Sequence, residues 1–490
     1  MTKPTAYEDI HATLTAGPLA LQDDWWTSFA PVFESDKTRG SRLHVYDHLA
    51  RDPEKKYRTV LDFCSFFATS PISYNHPRLQ DSSYRDKLAF VAQNKPSNSD
   101  FWTTELADFV KTLHEVAGRD YLKHLFIVSG GALAVENALK AAFDWKVRWN
   151  LKREGIDADD AAARGDKRGE ELGSEMHVLH FKEAFHGRSG YTMSLTNTAD
   201  PRKTWFFPKF DWCRVPTPKI VSHDDPEWEQ KAMAAEEAVI GEIEQLLKTH
   251  RYKIAAVIIE PIQGEGGDNH IRSEFFVRLR EICDRADDPI LLIYDEVQTG
   301  FGATGKMWAH EHFGPKARPD MVAFGKKFQT CGVLAGPRLD EIKNNVFSKF
   351  NDGKSRLNST WAGNLVDMVR CTRYLEIVRD EKLIDQAAQM GEYFMNGLRK
   401  VAAEHGAGIM ANVRGRGLFI AFDVIDREKT GDRRGMLWQT LRDEGVLTLV
   451  SGPRGIRFRP HLDITKDEID ECLTILTTSL QKLTAQAVPA

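Results

Sequence analysis

The lysines at 326 and 327 pose the first chemical question. They follow Gly325 and a short apolar run at 321–324 that reads as a buried strand. An ammonium at the end of such a strand must be solvated, paired or used covalently. Either the two lysines open a surface loop, or one of them forms a Schiff base with a carbonyl cofactor, burial favouring the neutral amine that this requires. The ends of the neighbouring runs decide between these readings.

The run at 125–128 is followed by Ser129-Gly130-Gly131-Ala132 and a helical pattern from 133. Two glycines there let backbone N–H groups approach an anion, as a phosphate turn requires; an ordinary glycine turn is the alternative. After 178–181 comes Phe185-His186-Gly187-Arg188, with an aromatic that can stack on a planar ring and an arginine that can grip a carboxylate; packing and a surface ion pair are the alternatives. After 255–259, Glu260 and Glu265 frame a glycine-rich loop. The loop either lets Glu265 swing or is a surface turn. The run at 291–294 ends in Asp295-Glu296-Val297-Gln298. A buried Asp295 needs a cationic partner or strong donors, and alternation turns Glu296 the other way. A phosphate turn, a stacking aromatic, a buried aspartate and a lysine are together the parts that pyridoxal 5′-phosphate needs. The lysine holds its aldehyde and the aspartate keeps its ring nitrogen protonated.

Two other motifs point elsewhere. The stretch 300–306 nearly spells a nucleotide phosphate loop, but Met307 stands where a magnesium-binding hydroxyl belongs. A phosphotransferase built on it is the remote alternative. His310-Glu311-His312 has a spacing that suits one strand face, without an evident third ligand, so no metal is expected.

Elements of alternating type must position these residues. Apolar runs at 125–128, 178–181, 255–259, 291–294, 321–324 and 333–335 alternate with helical patterns at 133–149, 231–250 and 274–286. That predicts an α/β domain with a mainly parallel sheet flanked by helices, and a site at the strand carboxyl ends. Residues 151–176 read as a solvated helix end and loop. Beyond about 365 the pattern changes to a smaller α+β domain, with strands near 424, at 446–450 and at 456–458. The expected division is an N-terminal segment, 1–95, serving the small domain and dimer contacts; a large cofactor-binding domain, 96–364; and a C-terminal small domain, 365–490. Trp25 and Trp26 read as packing anchors.

Composition narrows the class. The 490 residues carry a net charge of −5 with 28% charged residues and no basic tract, which argues against nucleic acid. No run approaches a membrane span and the first residues lack a signal core. Six cysteines without a Cys-x-x-Cys pair argue against disulfides and structural zinc. A cytoplasmic location is expected.

The motifs in combination resemble the class III (omega) aminotransferases of the pyridoxal-phosphate fold type I superfamily (aspartate aminotransferase-like). The resemblance rests on Phe185-His-Gly-Arg188, Glu260-Pro-Ile-Gln-Gly-Glu-Gly-Gly267, Asp295-Glu-Val-Gln-Thr-Gly-Phe-Gly302, Pro319-Asp320 with Gly325-Lys326, and Ser359-Thr-Trp-Ala-Gly-Asn364, in the family's order. Through 95–100, 130–146 and 185–191 it is most similar to members acting on the ε-amino group of L-lysine. The resemblance implies that Lys326 is the Schiff-base lysine and Lys327 a non-catalytic neighbour pointing away. Asp295 would pair with the ring nitrogen, Gln298 would reach the ring hydroxyl and Phe185 would stack. Gly131 and Ala132 would bind the phosphate, joined by Thr360, with Asn358 or Ser359, from a second subunit, so at least a homodimer is implied. Arg188 would take the substrate's α-carboxylate and Arg457 a carboxylate of 2-oxoglutarate. Glu265 would be a switch that masks Arg457 when lysine is bound. His461 departs from the family pattern, which often has a second proline there. The implied reaction moves the ε-amino group of L-lysine to 2-oxoglutarate, giving 2-aminoadipate 6-semialdehyde and glutamate. Ornithine and 4-aminobutyrate are the alternative donors.

Overall fold

The computed structural model describes residues 31–47, 49–348, 356–426 and 432–486. The stretch holding Trp25 and Trp26 lies outside them. Among the described residues the central sheet has seven strands, in the order His124–Val128, Cys331–Ala335, Met321–Phe324, Leu291–Asp295, Ile254–Ile259, His177–Phe181 and Arg214–Val215. Only Cys331–Ala335 runs antiparallel to its neighbours. The expected mainly parallel sheet is therefore present, with each predicted run inside a strand.

Period-two alternation explains why the runs are continuously apolar. Ile258, Leu291, Ile293 and Ala323 pack with Ala134, Ala138, Leu139 and Trp145 of the helix Gly131–Arg153. Their sequence neighbours Val257, Ile259, Leu292 and Tyr294 face the other way. There they meet Val239 and Ile243 of Trp228–Thr249 and Phe275 and Leu279 of Ser273–Cys283. A strand covered on both faces has no polar side to show. Each such Val, Leu or Ile contributes about 1.5–3 kcal/mol by leaving water.

Two four-stranded sheets flank this body. Val32–Phe33, Arg42–Tyr46 and Tyr57–Asp62 join Val446–Leu447, while Met410–Arg416, Phe419–Val424, Gly455–Phe458 and Leu449–Ser451 form the other. The run at 446–450, expected as one strand, breaks at Thr448 and serves both sheets. One half pairs in parallel with Leu61 and Asp62, the other antiparallel with Ile456 and Arg457. Phe422 and Phe458 share a continuous apolar cluster with Phe324 and Phe328, which joins the strand of Arg457 to the strand that leads to Lys326. Residues 151–176 are more ordered than a loop. Short helices Ala158–Ala163 and Arg168–Ser174 bury Ala161 and Leu172.

Candidate active site

Lys326 follows the strand Met321–Phe324 and opens a 3₁₀ turn, Lys326–Phe328, with its own φ at +49°. A left-handed lysine is uncommon, and such backbone strain clusters at functional sites. A side chain on Gly325 would put its Cβ 2.9 Å from Cys331 Sγ, closer than packed side chains come. The half-buried Lys326 amine is held below the usual lysine range, first by burial and then by the Arg457 guanidinium, against the opposing pull of Asp295 and Glu265. A neutral amine can accept a proton; an ordinary lysine cannot at neutral pH.

Asp295 ends its strand buried. Its Oδ1 accepts the Val297 N–H at 3.0 Å and its Oδ2 lies 2.7 Å from His186 Nδ1. Burial opposes a charged His186, but Asp295 outweighs it and raises the imidazole above its ordinary range. In the sequence the histidine shows only as a neighbour of Phe185. Its role as the partner of Asp295 needs a contact across 109 residues that no local pattern carries. Glu296 points the other way, as alternation requires, and accepts from Thr299 Oγ1, the Ala309 and His310 N–H groups and the His310 ring.

The glycine turn and the aromatic turn are built against each other. Gly130 has φ +115° and the helix starts at Gly131. A Cβ on Gly131 would lie 2.8 Å from Val297 Cγ1, and one on Gly187 would lie 2.5 Å from Ala132 Cβ. Gly131 and Ala132 thus sit at an uncapped helix N-terminus, beneath the Phe185–Arg188 turn and beside the residues after Asp295. Glu260 ties the loops: one oxygen accepts the Phe185 N–H at 2.9 Å and the other the Gly264 N–H at 3.1 Å. Burial pushes its carboxyl up to about 7, with Asp295 adding to the effect. Phe185 is half-buried and Arg188 exposed, its guanidinium carbon 5.7 Å from the Phe185 ring centre. Gln298 Oε1 accepts from Arg459 at 3.2 and 3.3 Å, and Arg459 pairs in turn with Asp268. With that oxygen engaged, Gln298 has its N–H donors to offer a ligand.

Glu265 and Arg457 form the predicted pair. Arg457 Nη2 donates to Glu265 Oε2 at 2.7 Å. Burial works to raise the Glu265 carboxyl, but Arg457 and Lys203 outweigh it and hold it below its usual range. Arg457 is only 4% exposed, and its Nε and Nη1 are buried without a hydrogen-bond partner. Buried donors left open are costly unless a ligand fills them. Asn358, Ser359 and Thr360 lie elsewhere. Asn358 and Thr360 are exposed, and the Thr360 carbonyl accepts from Ser97 and Ser99. Among the described residues, none of the three hydrogen-bonds to Gly131, Phe185 or Lys326.

Lys327 is buried at 2% exposure rather than solvated. Its amine lies 3.5 Å from Ser65 Oγ and 3.4 Å from the Ser70 carbonyl. Burial, with Arg459 and Lys326 adding to it, brings the amine down to about 7. Ser65 opens a four-residue turn with φ of 41°, 51°, 59° and 65°, a left-handed conformation that costs roughly 1–2 kcal/mol per residue. A lysine depressed in the folded state binds fewer protons there than when unfolded. It therefore costs stability below its unfolded range, most of all below pH 7, and the penalty fades as pH rises toward 10. Lys327→Met is expected to retain the cofactor and to raise Tm, with the gain largest at or below pH 7 and gone near pH 10. Calorimetry across pH, with the cofactor's visible absorbance read on the same samples, checks both.

The two misleading motifs are structural. The His310 ring lies between Glu296 and Tyr121 Oη, and Glu311 pairs with Arg119. His312 contacts Thr304. The 300–307 loop opens no α-helix, and Lys306 donates to the Glu311 carbonyl.

A glycine turn at a helix N-terminus, a half-buried phenylalanine, a buried aspartate, a depressed lysine and an arginine with open donors suit pyridoxal phosphate and a carboxylate substrate. This donor set fits the cofactor. The class III aminotransferase family model matches residues 52–480, and the chain belongs to that family. It has the fold of the type I pyridoxal-phosphate enzymes, and pyridoxal phosphate is its cofactor. It is 44% identical over 421 residues to the L-lysine-epsilon aminotransferase of Amycolatopsis lactamdurans, covering 86% of this chain and 87% of that one. The solved lysine aminotransferase from M. tuberculosis, in its internal aldimine form, superposes with a TM-score of 0.84 at 41% identity, covering 98% of this chain and 100% of that one. The 4-aminobutyrate aminotransferase of Dictyostelium discoideum is 31% identical over 86% of this chain and 82% of its own. No described helix is long and apolar enough to cross a membrane.

Proposed function

We propose that this chain transfers the ε-amino group of L-lysine to 2-oxoglutarate, releasing 2-aminoadipate 6-semialdehyde and L-glutamate. The observation that carries this reading is the Glu265–Arg457 pair beside Lys326. One pocket must take a cationic amino acid by its distal amine and later a dianion. A carboxylate that covers an arginine and can leave it meets both needs. The names of the relatives at 41–44% identity support lysine as the donor over 4-aminobutyrate, whose aminotransferase is more distant.

Bound pyridoxal phosphate supplies an electron sink for the carbon that carries the transferred amine. Lys326 Nζ would hold the cofactor's aldehyde, and its amine, when free, would serve as base and then acid for the proton of the substrate's ε-carbon. Asp295, backed by His186, would keep a negative charge against the ring nitrogen. Gly131 and Ala132 would offer N–H groups to the phosphate, and Gln298 would reach the ring hydroxyl. Phe185 covers the ring face. Arg188 takes the α-carboxylate of lysine, which sets the ε-carbon near Lys326. Arg457 takes a carboxylate of 2-oxoglutarate after Glu265 leaves it. Thr360, with Asn358 or Ser359, serves the phosphate of a second subunit, so the working unit is at least a homodimer. The chain divides into the N-terminal segment, 1–95, the cofactor domain, 96–364, and the small domain, 365–490.

The test is a donor panel of L-lysine, L-ornithine and 4-aminobutyrate with 2-oxoglutarate as acceptor, reading glutamate and identifying the other product. L-Lysine is expected to give the highest kcat/KM by at least about tenfold, because the shorter chains of ornithine and 4-aminobutyrate cannot set a carboxylate at Arg188 and the amine at Lys326 together, and one missing methylene is worth about 10–200-fold. A higher value for ornithine or 4-aminobutyrate would reassign the donor.

A further inference from the structure

The Glu265 carboxylate carries two cations, and the switch described above uses only one. While Oε2 accepts from Arg457, Oε1 accepts from Lys203 Nζ at 2.5 Å. Lys203 ends the short 3₁₀ turn Pro201–Lys203, which Asp200 starts by accepting the Arg202 N–H. Its side chain is 16% exposed, so this is not an ordinary solvated bridge, whose worth would be close to nothing. The ammonium also lies 5.9 Å from the centre of the Phe185 ring. It therefore stands between the switch and the aromatic assigned to the cofactor. A carboxylate that must vacate Arg457 for an incoming dianion has to leave Lys203 as well, or carry it along.

We propose that Lys203 is a specificity-determining residue that latches Glu265 over Arg457, so that the dicarboxylate acceptor competes against two ion pairs instead of one. This rests on the reading of Glu265 as the switch. The latch favours the masked state, in which the site receives the cationic donor, and weakens the dicarboxylate's hold. The same ammonium freed to bind the dianion directly would have the opposite effect, and so would be seen in the sign.

The measurement is the affinity of the pyridoxal phosphate-loaded enzyme for glutarate, a dicarboxylate with no keto group to react, by titration calorimetry. The wild type is compared with Lys203→Met, Lys203→Arg, Glu265→Gln and the double variant Lys203→Met/Glu265→Gln. The latch predicts that Lys203→Met binds glutarate roughly tenfold more tightly, the size expected for one hydrogen bond between charged groups. KM for 2-oxoglutarate should fall with kcat little changed, and Lys203→Arg should restore wild-type affinity. In the Glu265→Gln background the tightening should vanish, because the latch has nothing to hold. Unchanged or weaker glutarate binding in Lys203→Met overturns the proposal, as does tightening that persists without the Glu265 carboxylate. An unchanged affinity in Glu265→Gln alone removes the switch and the latch together. A wild type inactive on L-lysine, with these shifts intact, defeats only the donor assignment and leaves the latch supported.

Discussion

With alanine in place of Lys326, transamination is expected to fall by at least about 10⁴-fold, since general acid–base catalysis by one positioned group alone supplies 10²–10⁴ and the covalent anchor is lost as well. The Lys326 amine has two tasks, the covalent anchor and the proton transfer. The nearest in sequence, Lys327, is directed toward Ser65 and the Ser70 carbonyl, away from the pocket. The substitution should not unfold the chain. The position already has φ +49° with a lysine in it, so alanine adds little backbone strain, and it removes an amine whose burial works against its charge. Two readouts separate this from a general loss. Borohydride should fix cofactor mass onto the peptide carrying Lys326 in the wild type and not in Lys326→Ala, while Tm stays near the wild-type value. A variant that keeps its activity, or cofactor mass found on Lys327, would contradict the assignment.

Asp295→Asn carries the second large effect. Removing one partner of a buried charge pair costs about 3–5 kcal/mol, and a loss of that size at the ring nitrogen corresponds to roughly 10²–10⁴-fold in kcat. The variant also reports on itself through His186. Burial lowers that imidazole, and Asp295 is the main group that raises it. Without the carboxylate its titration should move below the ordinary histidine range, visible by NMR of the ring. A loss of activity with no change in His186 would mean that the 2.7 Å contact is not what holds the aspartate in place.

The sheet was legible because its strands are covered on both faces and so read as unbroken apolar runs, and Gly325, Gly131 and Asp295 sit where those runs end. The run at 446–450 misled for a related reason. An apolar stretch says that a segment is buried, not which sheet it joins, and the break at Thr448 that divides it between two sheets carries no glycine or proline. The Glu265–Arg457 pair, 192 residues apart in sequence, came from the family resemblance and not from any local pattern. Three contributors lay beyond the reach of sequence. His186 needed its contact with Asp295, Arg459 needed Gln298 and Asp268, and Lys203 sits in a charged turn with no periodicity. Lys327 was expected to point away from the pocket. It does, but into a buried site bordered by a left-handed turn at 65–68, a conformation that Ser-Phe-Phe-Ala does not announce.

The central claim is that the amine moved is the distal one of lysine, and isotope transfer tests it directly. The purified holoenzyme is incubated with 2-oxoglutarate and L-lysine bearing ¹⁵N at the ε-amine alone or at the α-amine alone, and the glutamate formed is weighed by mass spectrometry. Label reaching glutamate from the ε-amine, and none from the α-amine, is the predicted result. Label arriving from the α-amine, or unlabelled glutamate from both, would contradict it.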